Sequence, residues 1–338
     1  MKAVAYTHCH PATHPDCFED VVLPDPPMPR GRELLVEVRA VSVNPVDTKL
    51  RANADPAGEP RVLGFDAAGI IRARSPEAGL FHVGDEVFYA GVVNRAGSNA
   101  QFQLVDERIV GHKPRSLSFA EAAALPLTGI TAWEALFDRL RIVRGGAAHG
   151  AAVLITGGAG GVGSIAIQLA RRLTALKVIT TASRPETRAW CEAMGAHHVL
   201  DHSADLGPQI KALGLPIPFI FSVTQTDQHW NALADALAPQ GGICVIDEIK
   251  TANLLRIRPK AGFLAFEAMF ARALNTTPDM IAQHHLLDEI SHLVDTGALR
   301  HTMTRNLGPL SATSLAEAHA LVESGRMIGK VVLEGISP

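Results

Sequence analysis

A chain of 338 residues, 47% hydrophobic and 19% charged, has enough apolar material for one large core or two ordinary ones. A formal net charge of −3 and 5% aromatic residues exclude a basic nucleic-acid footprint and an aromatic platform for single strands, and no run approaching ~18 apolar residues marks a membrane span. Four cysteines, Cys9, Cys17, Cys191 and Cys244, show no C-x-x-C spacing, which points to free thiols in a reducing compartment.

The opening residues Met1–Tyr6 read as a strand and lack the apolar segment of a signal peptide, so a cytoplasmic protein is expected. Val21-Val22-Leu23 is extended enough to pair with something. Pro24, Pro26, Pro27 and Pro29, followed by Gly31, form a connector that is neither helix nor central strand. Glu33–Ser42 reads as a long strand. Asn44-Pro45-Val46-Asp47 ends it and starts a short helix, with Pro45 near its first position. Arg61–Ile71 is a glycine-interrupted strand pair, Val83–Tyr89 follows a tight turn, and Ala100–Val105 is a further strand. Short strands with many turns predict a β-rich, barrel-like first domain.

Helix begins at Phe119–Pro126, and Thr128–Leu140 reads as an amphipathic helix with Trp133, Leu136 and Phe137 on one side. Ala152–Thr156 is then a short buried strand. Gly157 to Gly163 is a glycine turn, and Ser164–Leu173 has helical spacing with Arg171-Arg172 at its end, where cations suit the helix dipole. The embedded Gly158-x-Gly160-x-x-Gly163 follows a strand and opens a helix, the context in which backbone N–H groups of Gly161, Val162 and Gly163 reach a pyrophosphate. A dinucleotide site is expected. The next strand, Lys177–Ser183, ends without the acid that would accept a ribose 2′-OH. Ser183, Arg184 and Arg188 stand there instead, a set that suits a 2′-phosphate and predicts NADPH. Glu186 is the counter-candidate, although an acid in the first turn of a helix is also an ordinary dipole partner.

The strand–helix rhythm continues with a helix over Pro185–Met194, strands at Pro218–Val223 and Ile243–Ile246, a helix over His229–Ala238, and a last strand at Gly262–Phe266. This is a doubly wound parallel sheet. Helices follow over Pro278–Thr296 and Leu315–Glu323. The terminal strand Lys330–Glu334 comes after that sheet is complete, so it is expected to return to the first domain.

Taken together, Asn44-Pro45-Val46-Asp47, Gly64-x-x-x-x-Gly69, Val83-Gly84-Asp85-x-Val87, Leu125-Pro126-Leu127-Thr128-x-x-Thr131-Ala132 and the glycine turn resemble the medium-chain dehydrogenase/reductase superfamily over the whole chain. The pattern is similar to its zinc-free, quinone-oxidoreductase-like side, and within that to a bacterial subgroup labelled zinc-type alcohol dehydrogenase-like. The resemblance implies an α/β protein. A groES-like catalytic domain would comprise residues 1–126 and 271–338, and a Rossmann domain residues 127–270, with the active site between them. It also implies a homodimer through the exposed edge of the last Rossmann strand.

Zinc members of the family hold their metal with a cysteine, a histidine and a third ligand. Asn44, Phe65 and Leu127 stand at or near those positions here, and phenylalanine and leucine cannot coordinate. No metal is expected. The ligand-type residues of the N-terminal loop, His8-Cys9-His10 and His14-x-x-Cys17, read as unmetallated, and the pairs His284-His285 and His197-His198 as helix-face and surface residues, since adjacent histidines on a helix point in different directions. Without a metal to hold an alkoxide, hydride transfer from NADPH to a quinone or an α,β-unsaturated carbonyl fits best, with donors stabilising the developing oxygen charge.

The resemblance supplies the candidates. Asn44 is a donor at the nicotinamide end, or a cap for the helix at Pro45. Asp66 orients a hydroxyl or is simply buried and paired. Tyr89 lines the substrate mouth or packs at a strand end. Thr128 and Thr131 stand near the cofactor ribose and nicotinamide, or cap a helix. Val223, Ile246 and Asp247 sit at C-terminal strand ends, where such sheets bind ligands, although an acid at Asp247 would repel an anionic product. The alternatives to a quinone or enone reductase are a zinc-dependent alcohol dehydrogenase and an NADPH-binding protein with a structural or regulatory role.

Overall fold

The computed structural model describes residues 1–146 and 150–336. The chain divides into two compact units, Met1–Ile130 with Phe270–Pro338, and Thr131–Met269. The first division follows Ile130, inside the helix Pro126–Trp133.

The central unit is built on six parallel strands. Their spatial order is His198–Leu200, Lys177–Thr181, Ala152–Ile155, Ile217–Ser222, Leu237–Val245, Phe263–Phe266. Counted along the chain this is 3-2-1-4-5-6, and the order reverses between Ala152–Ile155 and Ile217–Ser222. Ala152–Ile155 is buried along its whole length, as a strand covered on both faces must be. The core beneath the sheet joins Leu154, Ile179, Ile220 and Ile243 to Trp230 and Leu233 of the helix Thr226–Ala236.

The other unit combines a seven-stranded sheet with a three-stranded one. Glu33–Ser42 is the hub of the larger sheet. It pairs with Asp66–Arg74, with Phe102–Asp106 and, as expected of the returning tail, with Lys330–Glu334. In the smaller sheet Lys2–Tyr6 pairs with Glu19–Val22 and Arg61–Val62. Val36, Val38, Val41, Ile71, Val87 and Leu333 meet in one core.

Several elements differ from expectation. Helical geometry does not run evenly from Thr128 to Leu140: an α-helix, Pro126–Trp133, passes into a wider π-helical turn, Glu134–Arg139. In that turn Arg139 meets two buried carboxylates, Glu134 at 3.4 Å and Glu267 at 2.9 Å. The helix expected at Pro278 begins at Ala282, the one expected at Leu315 begins at Ala312 after a Ser311 cap, and the one expected at His229 begins at Thr226. The strand expected at Ile243 already begins at Leu237. The strand expected at Ala100 begins at Phe102.

Candidate functional site

In the central unit the glycine turn is shaped by contacts that only glycine permits. A Cβ on Gly158 would lie 2.0 Å from Thr180 Oγ1 and 2.9 Å from Cys191 Sγ, and one on Gly163 would lie 2.3 Å from the Gly157 carbonyl oxygen. These two glycines let strand, turn and helix close on one another. Gly160 is different: its Cβ would meet nothing nearer than the Gly157 carbonyl at 3.5 Å. It is the N-cap of the helix Gly161–Leu173, which has no side-chain cap and no acid in its first turn. The N–H groups of Gly161, Val162 and Gly163 therefore have no intrahelical partners. With the positive end of the helix dipole behind them, they fit the pyrophosphate of a dinucleotide.

The C-terminal strand ends surround this turn. Thr181 Oγ1 accepts the Gly157 N–H at 3.0 Å, and Thr156 Oγ1 accepts the Val223 N–H at 2.8 Å. The Ile246 N–H bonds weakly to the Ser222 carbonyl at 3.4 Å. Asp247 does not face outward as an unneutralised acid. It accepts the Thr226 N–H at 2.9 Å and the Thr226 hydroxyl, and so caps the helix that starts there. Beyond Lys177–Thr181 come Ser183 and Arg184. The Arg184 guanidinium rests on Glu186 at 3.2 Å, a pair whose acid is 56% exposed, so the contact is weak and exchangeable. Arg188 differs from expectation, since its guanidinium donates to the Ala182 and Val199 carbonyls at 3.3 and 2.9 Å. Two of its five N–H groups are used there, and they fix its positive charge at two strand ends.

In the other unit Asn44 and Asp66 belong to a buried polar cluster with a third member that sequence reading missed. Lys330 Nζ donates to Asn44 Oδ1, to the Val43 carbonyl at 2.9 Å and to Asp66 Oδ2 at 3.1 Å. Asp66 also accepts from Ser42 Oγ, Asn44 Nδ2 and the Leu127 N–H, each at 2.7 Å. Ammonium, amide and carboxylate are all at least 95% buried. The Asn44 amide is thus held at both ends by the cluster, while Asn44 is also the N-cap residue of the helix Pro45–Asn53. Its N–H goes to Asp47 at the third helical position, which also accepts the Gly64 N–H. Burial pushes the Asp47 carboxyl up to about 7 in spite of those two bonds.

Tyr89 is not at a surface mouth. It lies wholly within the core of its unit, its hydroxyl is buried without a partner, and burial raises its pKa. Thr128 Oγ1 donates back to the Leu125 carbonyl at 3.2 Å, just ahead of its helix, and Thr131 is buried one turn later. His284 lies on the helix Ala282–Asp295. It is buried, with Nδ1 2.7 Å from the Val110 carbonyl and Nε2 3.6 Å from Asp288. His285 beside it is exposed. His197 Nδ1 accepts the Val178 N–H. The ligand-type residues of the N-terminal loop do not converge: Cys17 Sγ faces Arg51 at 3.5 Å, His8 pairs with Asp55, and His10 stacks on His14. Among the described residues no group of three or more His, Cys, Asp or Glu is placed to hold a metal ion.

Comparison with known proteins agrees with both units. Residues 30–133 match the alcohol dehydrogenase GroES-like domain, and residues 161–256 match the zinc-binding dehydrogenase family. A zinc-type alcohol dehydrogenase-like protein of Staphylococcus epidermidis is 41% identical over 337 residues, covering 98% of this chain and 99% of the relative. A solved protein from Rhizobium etli CFN 42, described as a candidate zinc-dependent alcohol dehydrogenase, is 53% identical with a TM-score of 0.96, covering 100% of this chain and 99% of that one. The quinone oxidoreductase from Coxiella burnetii superposes with a TM-score of 0.80 at 26% identity, covering 99% of each chain. With Phe65 and Leu127 at or near its metal-ligand positions, a GroES-like unit and a Rossmann sheet, the chain belongs to the zinc-free, quinone-oxidoreductase-like branch of the medium-chain dehydrogenase/reductase superfamily.

Proposed function

We propose that the protein is an NADPH-dependent reductase that passes hydride to quinones or α,β-unsaturated carbonyl compounds without a metal. The observation that carries the cofactor half is the open N-terminus of the helix Gly161–Leu173 beside a strand that ends in Ser183 and Arg184 rather than an acid. Gly161, Val162 and Gly163 would hold the pyrophosphate, and Ser183 with Arg184 the 2′-phosphate, Arg184 leaving Glu186 to do so. Arg188 would add its fixed charge from behind. The cofactor supplies the hydride, and the chain supplies placement and charge.

The acceptor half is supported by the cluster around Asn44. Where zinc relatives use soft ligands, this chain buries an ammonium, an amide and a carboxylate that satisfy one another. Such a cluster has no vacancy for a Lewis acid to polarise an alcohol, and an electron-poor π-system needs none. The fold likeness to a solved quinone oxidoreductase points the same way. We place the protein in the cytoplasm, which its four free cysteines suit. No helix among the described residues is long and apolar enough to cross a membrane.

The test follows NADPH absorbance with chelator-treated protein, using 1,4-benzoquinone, 9,10-phenanthrenequinone and a small enone, with NADH in parallel. Turnover that prefers NADPH and ignores both chelator and added zinc is expected. Turnover of alcohols that appears only when zinc is restored would replace this reading with that of an alcohol dehydrogenase. Tight NADPH binding without turnover of any acceptor would favour a non-catalytic role.

A homodimer formed along Phe263–Phe266 belongs to the same proposal. That strand is the last in its sheet, and Phe263 and Phe266 are 40% and 63% exposed. Phe266→Glu should shift the protein from dimer to monomer in sedimentation; an unchanged mass would move the interface elsewhere.

A further inference from the structure

Lys177–Thr181 and His198–Leu200 are parallel neighbours, and Thr181 stands opposite Leu200. Two residues beyond that pair the chain reaches Ser183 on one strand and His202 on the other. The same C-terminal edge therefore presents a hydroxyl, the Arg184 guanidinium and an imidazole. His202 Nδ1 lies 3.3 Å from Thr181 Oγ1, the oxygen that accepts the Gly157 N–H at the start of the glycine turn. The hydroxyl keeps its hydrogen and a second lone pair, so it can meet Nδ1 of His202 whether or not that nitrogen carries a proton.

The groups around His202 come from four directions. Asp201 adjoins it, its carboxylate accepting the Ser203 N–H and hydroxyl at 2.9 and 2.6 Å. Arg184 acts on it from the neighbouring strand end and disfavours a second cation. Arg188 is tied to Val199 on its own strand. His229, on the helix Thr226–Ala236, has its ring 6.4 Å away and its Nε2 buried without a partner. Burial holds both imidazoles below the ordinary histidine value, so both are neutral near pH 7 in the free protein.

We propose that His202 makes recognition of the cofactor's 2′-phosphate proton-linked: the imidazole takes up one proton from solvent as the phosphate settles beside Ser183 and Arg184, and becomes a second cation of that subsite. The inference rests on the NADPH reading above and adds a regulation to it. Before binding, burial together with Arg184 outweighs the adjoining Asp201 carboxylate, which alone would favour a cation at His202. A phosphate dianion reverses that balance, because it is the strongest charge in the subsite. Affinity for 2′-phosphorylated nucleotides then rises as pH falls through the neutral range. Affinity for nucleotides lacking the 2′-phosphate does not.

Titration calorimetry of the full chain tests this, with 2′,5′-ADP and 5′-AMP as probes. The buffers are phosphate-free, differ in ionisation enthalpy and span about pH 6 to 8, and wild type is compared with His202→Asn. The phosphate's own titration is common to both proteins and cancels. Wild type should take up more protons per 2′,5′-ADP bound than the variant, by as much as one. It should also lose about tenfold more affinity across that range for each unit by which the bound imidazole's pKa lies above about 6. Equal uptake and equal slope in the two proteins, with 2′,5′-ADP still tighter than 5′-AMP, would overturn the proposal and leave the NADPH reading intact. If 2′,5′-ADP is no tighter than 5′-AMP in wild type, both fall. Should His202→Asn not fold, His202→Gln serves in its place, and the same difference in proton uptake from wild type is expected; no difference would overturn the proposal.

Discussion

Replacing Lys330 with methionine keeps most of the side-chain volume and removes only the buried charge. Lys330 gives three hydrogen bonds, to Asn44, Val43 and Asp66, and nothing else among the described residues brings a cation to Asp66. An ordinary lost hydrogen bond costs ~1 kcal/mol, whereas stripping one partner from a buried ion pair costs about 3–5 kcal/mol, because the other charge is left behind. Asp66 keeps three donors, Ser42 Oγ, Asn44 Nδ2 and the Leu127 N–H, so we expect the lower end, about 3 kcal/mol. Asp66→Asn in the same background removes the orphaned charge and should restore at least ~1 kcal/mol of that loss. Trp133, Trp190 and Trp230 all lie in the other unit, so tryptophan fluorescence is blind to this change. Native-state hydrogen exchange of the Glu33–Ser42 amides reads it directly, and about 3 kcal/mol is roughly a hundredfold faster exchange. Exchange within fivefold of wild type, or strict additivity of the two substitutions, would refute the claim that Lys330 neutralises Asp66.

Two more predictions follow from the same physical terms. Gly160→Ala should fold normally, since its Cβ has room at φ −73°, yet should weaken dinucleotide binding about tenfold or more if, as proposed, the pyrophosphate approaches this helix N-terminus. Gly158→Ala should instead lower the melting temperature, because its Cβ collides with Thr180; equal effects of the two on melting would contradict this division of labour. Burial holds the His319 imidazole down at about 3. Its unfolded value is ~6.5, so its neutral form contributes stability that is complete above ~6.5 and is lost as pH falls toward the folded value, at up to ~1.4 kcal/mol per pH unit. Asp47 works in the opposite sense: its raised carboxyl makes the folded state take up protons first, and stability grows as pH falls from about 7 toward the unfolded value. His319→Asn should therefore gain stability relative to wild type below about pH 6.5 in the same exchange experiment; a constant difference across pH would show that His319 is not held neutral.

The dinucleotide turn was legible because it is local: strand, glycines and helix fit in about twenty residues, and each glycine has a nearby reason. Lys330 was not legible, because its meaning depends on pairing across 286 residues. The register that sets Val332 opposite Ser42 brings Lys330 opposite Asn44, and no spacing in the sequence announces that register. Tyr89 belongs to the strand Glu86–Ala90, in which four consecutive residues are buried; alternation, the usual guide to which side faces water, is lost there. For His284 and His285 the rule that adjacent helix residues diverge was right, but only the packing of His284 against the Val110 carbonyl decides which one turns inward. The π-helical turn was hidden because Trp133 and Phe137 still meet, rings 5.0 Å apart, so the apolar stripe survives the wider winding.

The return of Lys330–Glu334 to Glu33–Ser42 also orders events during synthesis. Thr131–Met269 is one uninterrupted stretch and has every strand of its sheet once Phe266 has left the ribosome. The unit that includes Asp66 must wait for nearly the whole chain, holding a carboxylate whose ammonium has not yet been made. Until then its hub strand has an open edge, the kind of surface that chaperones cover and that misassembly exploits. A chain stopped short of Lys330 would keep the nucleotide-binding sheet and lose the other unit's closure, so such fragments should bind nucleotide while remaining sensitive to proteases at their amino-terminal third.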